Sequence, residues 1–174
     1  MTTMEQTLPT ATQSSTLSGF VATLGINGNL GDFTHTLGTD RDSTWTLDLG
    51  RRALIESVTL HNRDSCCGSR LRDITVEVLA PDQLVLFTTD LLNPQNKGYV
   101  YPNGPDHIDV NLPTPAAGQF IRVHRTADPT LSGTGGQGNG DEAGVLSLGE
   151  VIVTGQEISG YKTLIRTDLQ SVML

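Results

Sequence analysis

The sequence has few basic residues, few aromatic residues and no long apolar stretch. It carries 11 Lys and Arg residues against 19 Asp and Glu residues, which gives a formal net charge of −8 at pH 7. A protein that follows the phosphate backbone of nucleic acid needs a basic face, so this balance excludes that class. No stretch approaches the ~20 apolar residues of a membrane-spanning helix. At 174 residues, the length fits a single globular domain.

Sequence motifs of catalysis are also missing. The four His residues form no HExxH zinc motif, and no GxSxG nucleophile elbow is present. The carboxylates are numerous but dispersed, so no pair suited to glycoside hydrolysis can be singled out. We therefore predict a binding protein rather than an enzyme.

Short runs rich in β-branched residues fill most of the chain, and Gly and Pro residues separate them. No long helical period interrupts this pattern in the first 155 residues. The spacing predicts an all-β fold, an antiparallel β-sandwich or jelly roll of about eight strands. The clearest candidate strands are 44–49, 54–60, 74–78, 84–87, 108–112, 120–123 and 151–153.

Two segments differ from this pattern. Residues 129–144 are too rich in glycine for a regular element and predict a long loop without the GK[ST] signature of a phosphate-binding loop. We divide the chain into a leader (1–10), a sandwich domain (11–155) and a tail (156–174). The tail is interpreted as a linker that packs on the domain edge, or as a docking or oligomerisation segment. Four of its apolar residues fall on one face of a short helix: Ile165, Leu169, Val172 and Met173.

Adjacent cysteines, Cys66 and Cys67, are the most unusual local feature. Neighbouring Cα atoms lie about 3.8 Å apart, closer than the ~4.4–6.8 Å of ordinary disulfides. A bond between them would distort the peptide and form a compact apolar knob, whereas the alternative is two reduced thiols. Two cysteines supply only half of a structural zinc site.

Basic residues surround the cysteine pair although the chain as a whole is acidic. Guanidinium groups donate hydrogen bonds in a fork that suits adjacent hydroxyls, such as those of a sugar, or carboxylates. The alternative interpretation is a surface network of ion pairs. The cluster comprises His61, Arg63, Arg70 and Arg72, interleaved with Asp64 and Asp73.

A turn at residues 27–32, Asn-Gly-Asn-Leu-Gly-Asp, places three oxygen-bearing side chains within six residues. Calcium takes six to eight oxygen ligands, many of them backbone carbonyls in such turns. The spacing does not match an EF-hand loop. The alternative is a turn in which Asn and Asp side chains bind their own backbone.

Taken together, these segments resemble the fucose-binding F-type lectin family, a branch of the discoidin-like, coagulation-factor type C β-sandwiches. The resemblance runs from about residue 11 to residue 153. Its motif is a His, a later Arg-x-Asp and then a second Arg or Lys, combined with adjacent cysteines. The matching segments are ATQSS, NGNLGDFTHT, TWTLDLG, VTLHNRDSCCGSRL, ITVEVL, FIRVHR and LGEVIV.

The resemblance implies a sugar site at His35, Arg63 and Arg70, whose side chains would donate hydrogen bonds to L-fucose. It also implies that Cys66 and Cys67 form a disulfide that packs on the ring of the sugar. This sequence departs from the family's pattern in two ways. One extra residue separates His35 from Arg63, and Ser65 stands where the motif has Asp, with Asp64 one position earlier.

The family also carries a structural calcium ion. By position, its side-chain ligands would be Asn27, Asp32 and Glu150. Asn27 stands where many members have Asp, which predicts weaker binding. Backbone oxygens would come from Leu24, Asn29, Asp32 and Gly149.

The resulting hypothesis is a non-catalytic module that binds fucosylated or other glycans, with avidity from several copies. The alternatives are a lectin for another sugar, or a structural or adhesive domain of a larger surface or particle protein that contacts other proteins. A disulfide between the cysteines would favour an extracellular or surface-associated protein. No signal peptide is visible in the first twenty residues.

Overall fold

A computed structural model describes residues 8–158, and within them the chain forms six β-strands and four short 3₁₀ helices. The predicted apolar helix face at residues 165–173 therefore lies outside the described residues. The strands are β1 (Thr10–Gln13), β2 (Thr44–His61), β3 (Ile74–Leu79), β4 (Val85–Thr88), β5 (His107–Arg125) and β6 (Glu150–Glu157). The 3₁₀ helices are η1 (Ala22–Ile26), η2 (Gly68–Arg70), η3 (Pro94–Asn96) and η4 (Gly140–Ala143).

All strand pairs are antiparallel, as predicted, and the strands follow the order β1-β2-β5-β3-β4, with β6 paired to β2. The long strands β2 and β5 hold the fold together. The two strands pair with each other over two stretches. In the first stretch, Thr44 to Asp48 of β2, β1 pairs with β2 on one side and β3 pairs with β5 on the other. In the second stretch, from Ala53 of β2 onwards, β6 pairs with β2.

The structure has fewer strands than the eight expected from the sequence pattern. Predicted strands 44–49 and 54–60 are both parts of β2, and 108–112 and 120–123 are both parts of β5. The alternation breaks at a bulge between Asp48 and Ala53, where Gly50 has a φ of 71°, but the pairing with β5 continues on both sides of it. A break in alternation therefore marks a bulge here rather than the end of a strand.

Alternate residues of these strands form one hydrophobic core to which both parts of the sheet contribute. Leu47 comes from the first part of β2, and Val58 from the second; both are fully buried. Trp45 is also fully buried, and its indole Nε1 donates a hydrogen bond to the Ala22 carbonyl at 2.9 Å, which fixes η1 against the sheet.

A buried ion cluster attaches the loop after β5 to this core. Arg72 and Arg125 both donate to the Asp73 carboxylate, at 2.7 and 2.9 Å, and Arg72 also pairs with Asp128 at 2.7 Å. Arg125 further donates to the backbone carbonyl of Glu142 at 2.8 Å. The basic cluster predicted from the sequence is therefore divided, because Arg72 and Asp73 hold the loop while Arg63 and Arg70 lie elsewhere.

Candidate functional site

Three segments at the end of the sandwich bring the predicted sugar-binding residues together. His35 lies in the connection between η1 and β2, and Arg63 to Arg70 form the connection between β2 and β3. The third segment is η4, in the glycine-rich loop. Cys67, directly before η2, has a left-handed backbone conformation with a φ of 72°.

The imidazole of His35 is held at both nitrogens. Nε2 lies 3.0 Å from a terminal nitrogen of Arg70, and Nδ1 lies 2.5 Å from the Thr36 carbonyl oxygen. Because a guanidinium group only donates and a carbonyl only accepts, Nδ1 carries the proton and Nε2 accepts from Arg70. Burial lowers the pKa of His35, and the positive charges of Arg70 and Arg63 lower it further against the opposing bond to Thr36. The ring is therefore neutral at pH 7.

Arg70 is held by two carboxylates of the glycine-rich loop. Its Nε donates to Glu142 at 3.0 Å, and a terminal nitrogen donates to Asp141 at 3.3 Å. The second carboxylate oxygen of Glu142 accepts from the Ser69 hydroxyl at 2.9 Å. Of the five N–H groups of Arg70, three are used, one on each nitrogen, which leaves one donor on each terminal nitrogen.

Arg63 lies flat against an aromatic wall. Its guanidinium carbon is 3.6 Å from the centre of the Phe33 ring, and Phe33 stacks on Phe20 with ring centres 4.8 Å apart. Ser65 accepts from Arg63 at 3.3 and 3.4 Å, so the residue that replaces the motif's Asp still contacts this guanidinium. Burial lowers the pKa of Arg63, with Arg70 as a second cause, but the group stays charged at neutral pH.

The cysteine pair lies beside Arg63. The Sγ atoms of Cys66 and Cys67 face each other across Cα atoms 3.8 Å apart, and Arg63 approaches the Cys66 sulfur at 3.7 Å. Cys66 is exposed and Cys67 is half-buried, so the two sulfurs form an apolar rim next to the guanidinium group.

A cavity of about 400 Å³ adjoins this rim. One wall is the turn at residues 62–68 and the other is the loop at residues 102–106. The cavity shares Arg63 and both cysteines with the predicted sugar site, whereas His35 and Arg70 do not line it.

The predicted calcium ligands with side chains also gather in one place. Asn27 and Asn29 both donate to one carboxylate oxygen of Asp32, at 2.9 and 3.0 Å, and Glu150 accepts from the Gly28 backbone at 3.1 Å. The other Asp32 carboxylate oxygen is buried without a hydrogen-bond partner. In residues 8–158, no three His, Cys, Asp or Glu side chains come together as a metal cluster. A metal ion here would therefore need amide and backbone oxygens besides the two carboxylates.

The predicted backbone ligands lie on the elements around this turn. Leu24 lies within η1, and η1 packs against β6. Gly149 directly precedes Glu150, and its N–H donates to the His61 carbonyl at 2.9 Å. Carboxylate, amide and backbone oxygens are the types of ligand that calcium takes.

Sequence reasoning missed the residues that support the site. Phe33, two positions before His35, and Phe20 form the wall behind Arg63. Asp141 and Glu142 fix Arg70 from about seventy positions away in the chain. The adjacent acidic residues in an otherwise small-residue loop were the available signal, but the pattern does not say which arginine they meet.

A family model described as a NedA-like, galactose-binding domain of the F5/F8 type C group matches residues 25–123. The chain belongs to this family. The match includes Phe33, His35, both site arginines and the cysteine pair. No curated protein sequence matches the chain.

Solved structures similar to this F5/F8 type C domain are lectin and carbohydrate-binding modules. The lectin domain of lectinolysin, complexed with Lewis B antigen, is 26% identical, with a TM-score of 0.63 over 83% of this chain and 90% of that chain. A Streptococcus pneumoniae fucose-binding module is 20% identical, with a TM-score of 0.62 over 85% and 91%. A family 32 module from C. perfringens NanJ, in complex with galactose, is 18% identical, with a TM-score of 0.62 over 83% and 92%. The last two similarities show the fold alone.

Within the described part of this F5/F8 type C domain, no helix is long and apolar enough to cross a membrane.

Proposed function

We propose that this domain is a non-catalytic carbohydrate-binding module that recognises terminal L-fucose on glycans. The observation that carries the proposal is the contact between His35 and Arg70, 3.0 Å apart, with Arg63 beside them on its aromatic wall. The lectinolysin domain, with its Lewis B ligand, supports the assignment to carbohydrate.

The geometry suits a sugar because it offers donors and an apolar surface side by side. Arg70 keeps one N–H on each terminal nitrogen after its bonds to the protein. Arg63 adds a second guanidinium, and two such groups at an angle can bind vicinal hydroxyls. The rim of Cys66 and Cys67 offers a nonpolar contact for the C–H face of the ring.

His35 acts in this mechanism by orienting Arg70. Since its Nε2 accepts from Arg70, the neutral imidazole fixes the direction of the remaining Arg70 donors. The sequence-based prediction that His35 itself donates to the sugar would require this contact to open.

We propose further that Cys66 and Cys67 are joined by a disulfide, as their facing sulfurs allow. An oxidised pair would place the domain outside the reducing cytosol, in an extracellular or surface setting. Intact mass after alkylation under native conditions tests this proposal, because two added groups would show free thiols.

The proposal includes a calcium ion at the 27–32 turn. Asp32 and Glu150 would supply two negative charges, and Asn27 would supply a side-chain oxygen, with backbone oxygens from Leu24, Asn29, Asp32 and Gly149. The buried Asp32 oxygen without a partner supports this assignment. In the present arrangement the Asn27 amide nitrogen faces Asp32, so its side chain would turn to present its oxygen. Bound there, calcium would tie the segment that carries Phe33 and His35 to β6.

Calorimetric titration of the purified domain with methyl α-L-fucoside tests the function. We expect saturable binding, and Arg63→Ala should weaken it by about tenfold or more, since a charge-assisted hydrogen bond contributes roughly 1.5–3 kcal/mol. Arg52→Ala is the matched control, because Arg52 is an exposed arginine of β2 outside this site. A wild-type domain that binds no fucoside, or an Arg63→Ala domain that binds normally, would overturn the proposal.

A further inference from the structure

We propose that the cavity beside the cysteine pair is a subsite for the second sugar of the glycan, and that it disfavours sugars with a negative charge. This inference rests on the proposed function and extends it to the residues that decide which glycans bind.

The position of the cavity follows from its lining. It contains Arg63, Cys66 and Cys67, which also belong to the proposed fucose site. A glycan whose terminal sugar contacts Arg63 and Arg70 can therefore continue over the cysteine rim into the cavity. Its volume of about 400 Å³ is within the roughly 300–1,000 Å³ of small-molecule sites.

The two walls are tied to each other by hydrogen bonds. The Asn62 side chain donates to the carbonyls of Gly68 and Pro105, both at 2.8 Å, and the Ser69 N–H donates to Pro102 at 2.9 Å. The Asn62 N–H also donates to the carbonyl of Asp106 at 2.9 Å. The cavity is thus formed before any ligand enters, which lowers the entropic cost of binding.

The charges of the cavity determine what it accepts. Each wall contributes one exposed carboxylate, Asp64 from the turn and Asp106 from the loop. Carboxylates accept hydrogen bonds from sugar hydroxyls, and Asn103 adds an amide. The one cationic residue of the lining, Arg63, lies on Phe33 and contacts Ser65. A sulfate or carboxylate on the second sugar would therefore meet two negative charges in a domain of net charge −8.

The experiment compares three ligands by calorimetry: methyl α-L-fucoside, fucosyl-(1→3)-N-acetylglucosamine and the same disaccharide sulfated on its second sugar. We expect the neutral disaccharide to bind more tightly than the fucoside. The sulfated form should bind about fivefold more weakly than the neutral one, because a single repulsive contact in a solvent-exposed site costs about 1 kcal/mol. This difference should shrink as salt is added.

The double variant Asp64→Asn, Asp106→Asn should remove most of the discrimination against sulfate and leave fucoside binding unchanged. Asp82→Asn, Asp90→Asn is the matched control, because it removes two exposed carboxylates outside the cavity. If wild type binds no fucoside, the proposed function fails. If it binds the fucoside but gains nothing from the second sugar, or if the double variant rejects sulfate as strongly as wild type, the subsite is overturned.

Discussion

Glu142 is the residue on which the geometry of the site depends most directly. It is 1% exposed, and its two carboxylate oxygens accept from Arg70 and Ser69. Its own backbone carbonyl accepts from Arg125, whose guanidinium is completely buried. Because both the carboxylate and the backbone of Glu142 are held, Arg70 has little freedom to move. The remaining N–H donors of Arg70 are therefore oriented before the sugar binds.

We predict that Arg70→Ala lowers stability as well as sugar binding. The change would leave Glu142 buried opposite no cation, and breaking a buried ion pair from one side costs about 3–5 kcal/mol. Urea denaturation should show this loss. The double variant Arg70→Ala, Glu142→Ala should recover part of it while binding stays lost. Equal stability of wild type and Arg70→Ala would contradict the geometry described for this pair.

The neutral state of His35 predicts a dependence on pH. Its pKa in the folded protein is lowered from 6.5, mainly by burial and then by Arg70 and Arg63, although Asp141 acts in the opposite direction. The unfolded chain therefore takes up this proton first as the pH falls through about 6.5, and the free energy of unfolding declines below that point. Protonated Nε2 can no longer accept from Arg70, so sugar affinity should decline once the pH falls through the lowered pKa of His35 in the folded protein.

Denaturation and fucoside titration at a series of pH values falling from about 7.5, for as long as the domain stays folded, check both effects. Burial also lowers the pKa of His61, with His107 as a second cause, so His61 adds to the pH dependence of stability. His61→Gln should make the free energy of unfolding depend less steeply on pH but leave the pH dependence of fucoside binding intact. A pH-independent affinity in both proteins would exclude the role assigned to His35.

At the scale of elements, the contact between the 62–68 turn and the 102–106 loop depends on glycine. A Cβ atom on Gly104 would overlap the carbonyl group of Gly68, and the backbone of Ser69 is also in the way. The two segments can approach to hydrogen-bonding distance at Ser69 and Pro102 because neither glycine carries a side chain.

We predict that Gly104→Ala pushes the loop away from the turn. Overpacking of this kind costs typically about 1–3 kcal/mol, and the opened cavity should hold a disaccharide less well than before. Gly140→Ala is a suitable control, because a Cβ there meets nothing within 4 Å. Thermal unfolding and disaccharide titration of both variants measure the two effects. An unchanged melting temperature and an unchanged disaccharide affinity for Gly104→Ala would show that the walls are not in the contact described.

The strands that sequence could predict are those whose alternation is unbroken. The run 74–78 matches β3, since Ile74, Val76 and Val78 are buried and the residues between them are half-buried. The alternation of β2 stops at its bulge, so the local pattern predicts two strands where the structure has one. Whether pairing continues past a bulge depends on the partner strand, and a local pattern contains no information about the partner.

The same limit applies to the site. His35, Arg63, Arg70 and the cysteine pair could be named because their spacing resembles a family motif. The support of Arg70 by Glu142 could not, because the two residues are 72 positions apart. Buried contacts that no local pattern reveals, such as that of Arg125 with the Glu142 carbonyl, bring the loop back to the turn.

At the scale of the whole molecule, the acidic composition would give a bound cation a structural role. The net charge of −8 opposes compaction through self-repulsion. Glu150 accepts a hydrogen bond from Gly28 of the 27–32 turn, and one carboxylate oxygen of Asp32 in that turn is buried without a partner. Calcium at this turn would reduce the repulsion and connect two parts of the chain that are far apart in sequence.

We therefore predict that calcium raises the melting temperature of the domain. At a calcium concentration about 100 times its Kd, the stabilisation is about 2.7 kcal/mol, which corresponds to a shift of roughly 5–10 °C for a chain of this size. Differential scanning calorimetry with calcium and with chelator measures it. Asp32→Asn should remove the shift because it removes a charged ligand, whereas Asp82→Asn, an exposed carboxylate in the β3–β4 connection, should keep it. Identical melting curves with calcium and with chelator would exclude the ion, and the fucose site would then have to be formed by the protein alone.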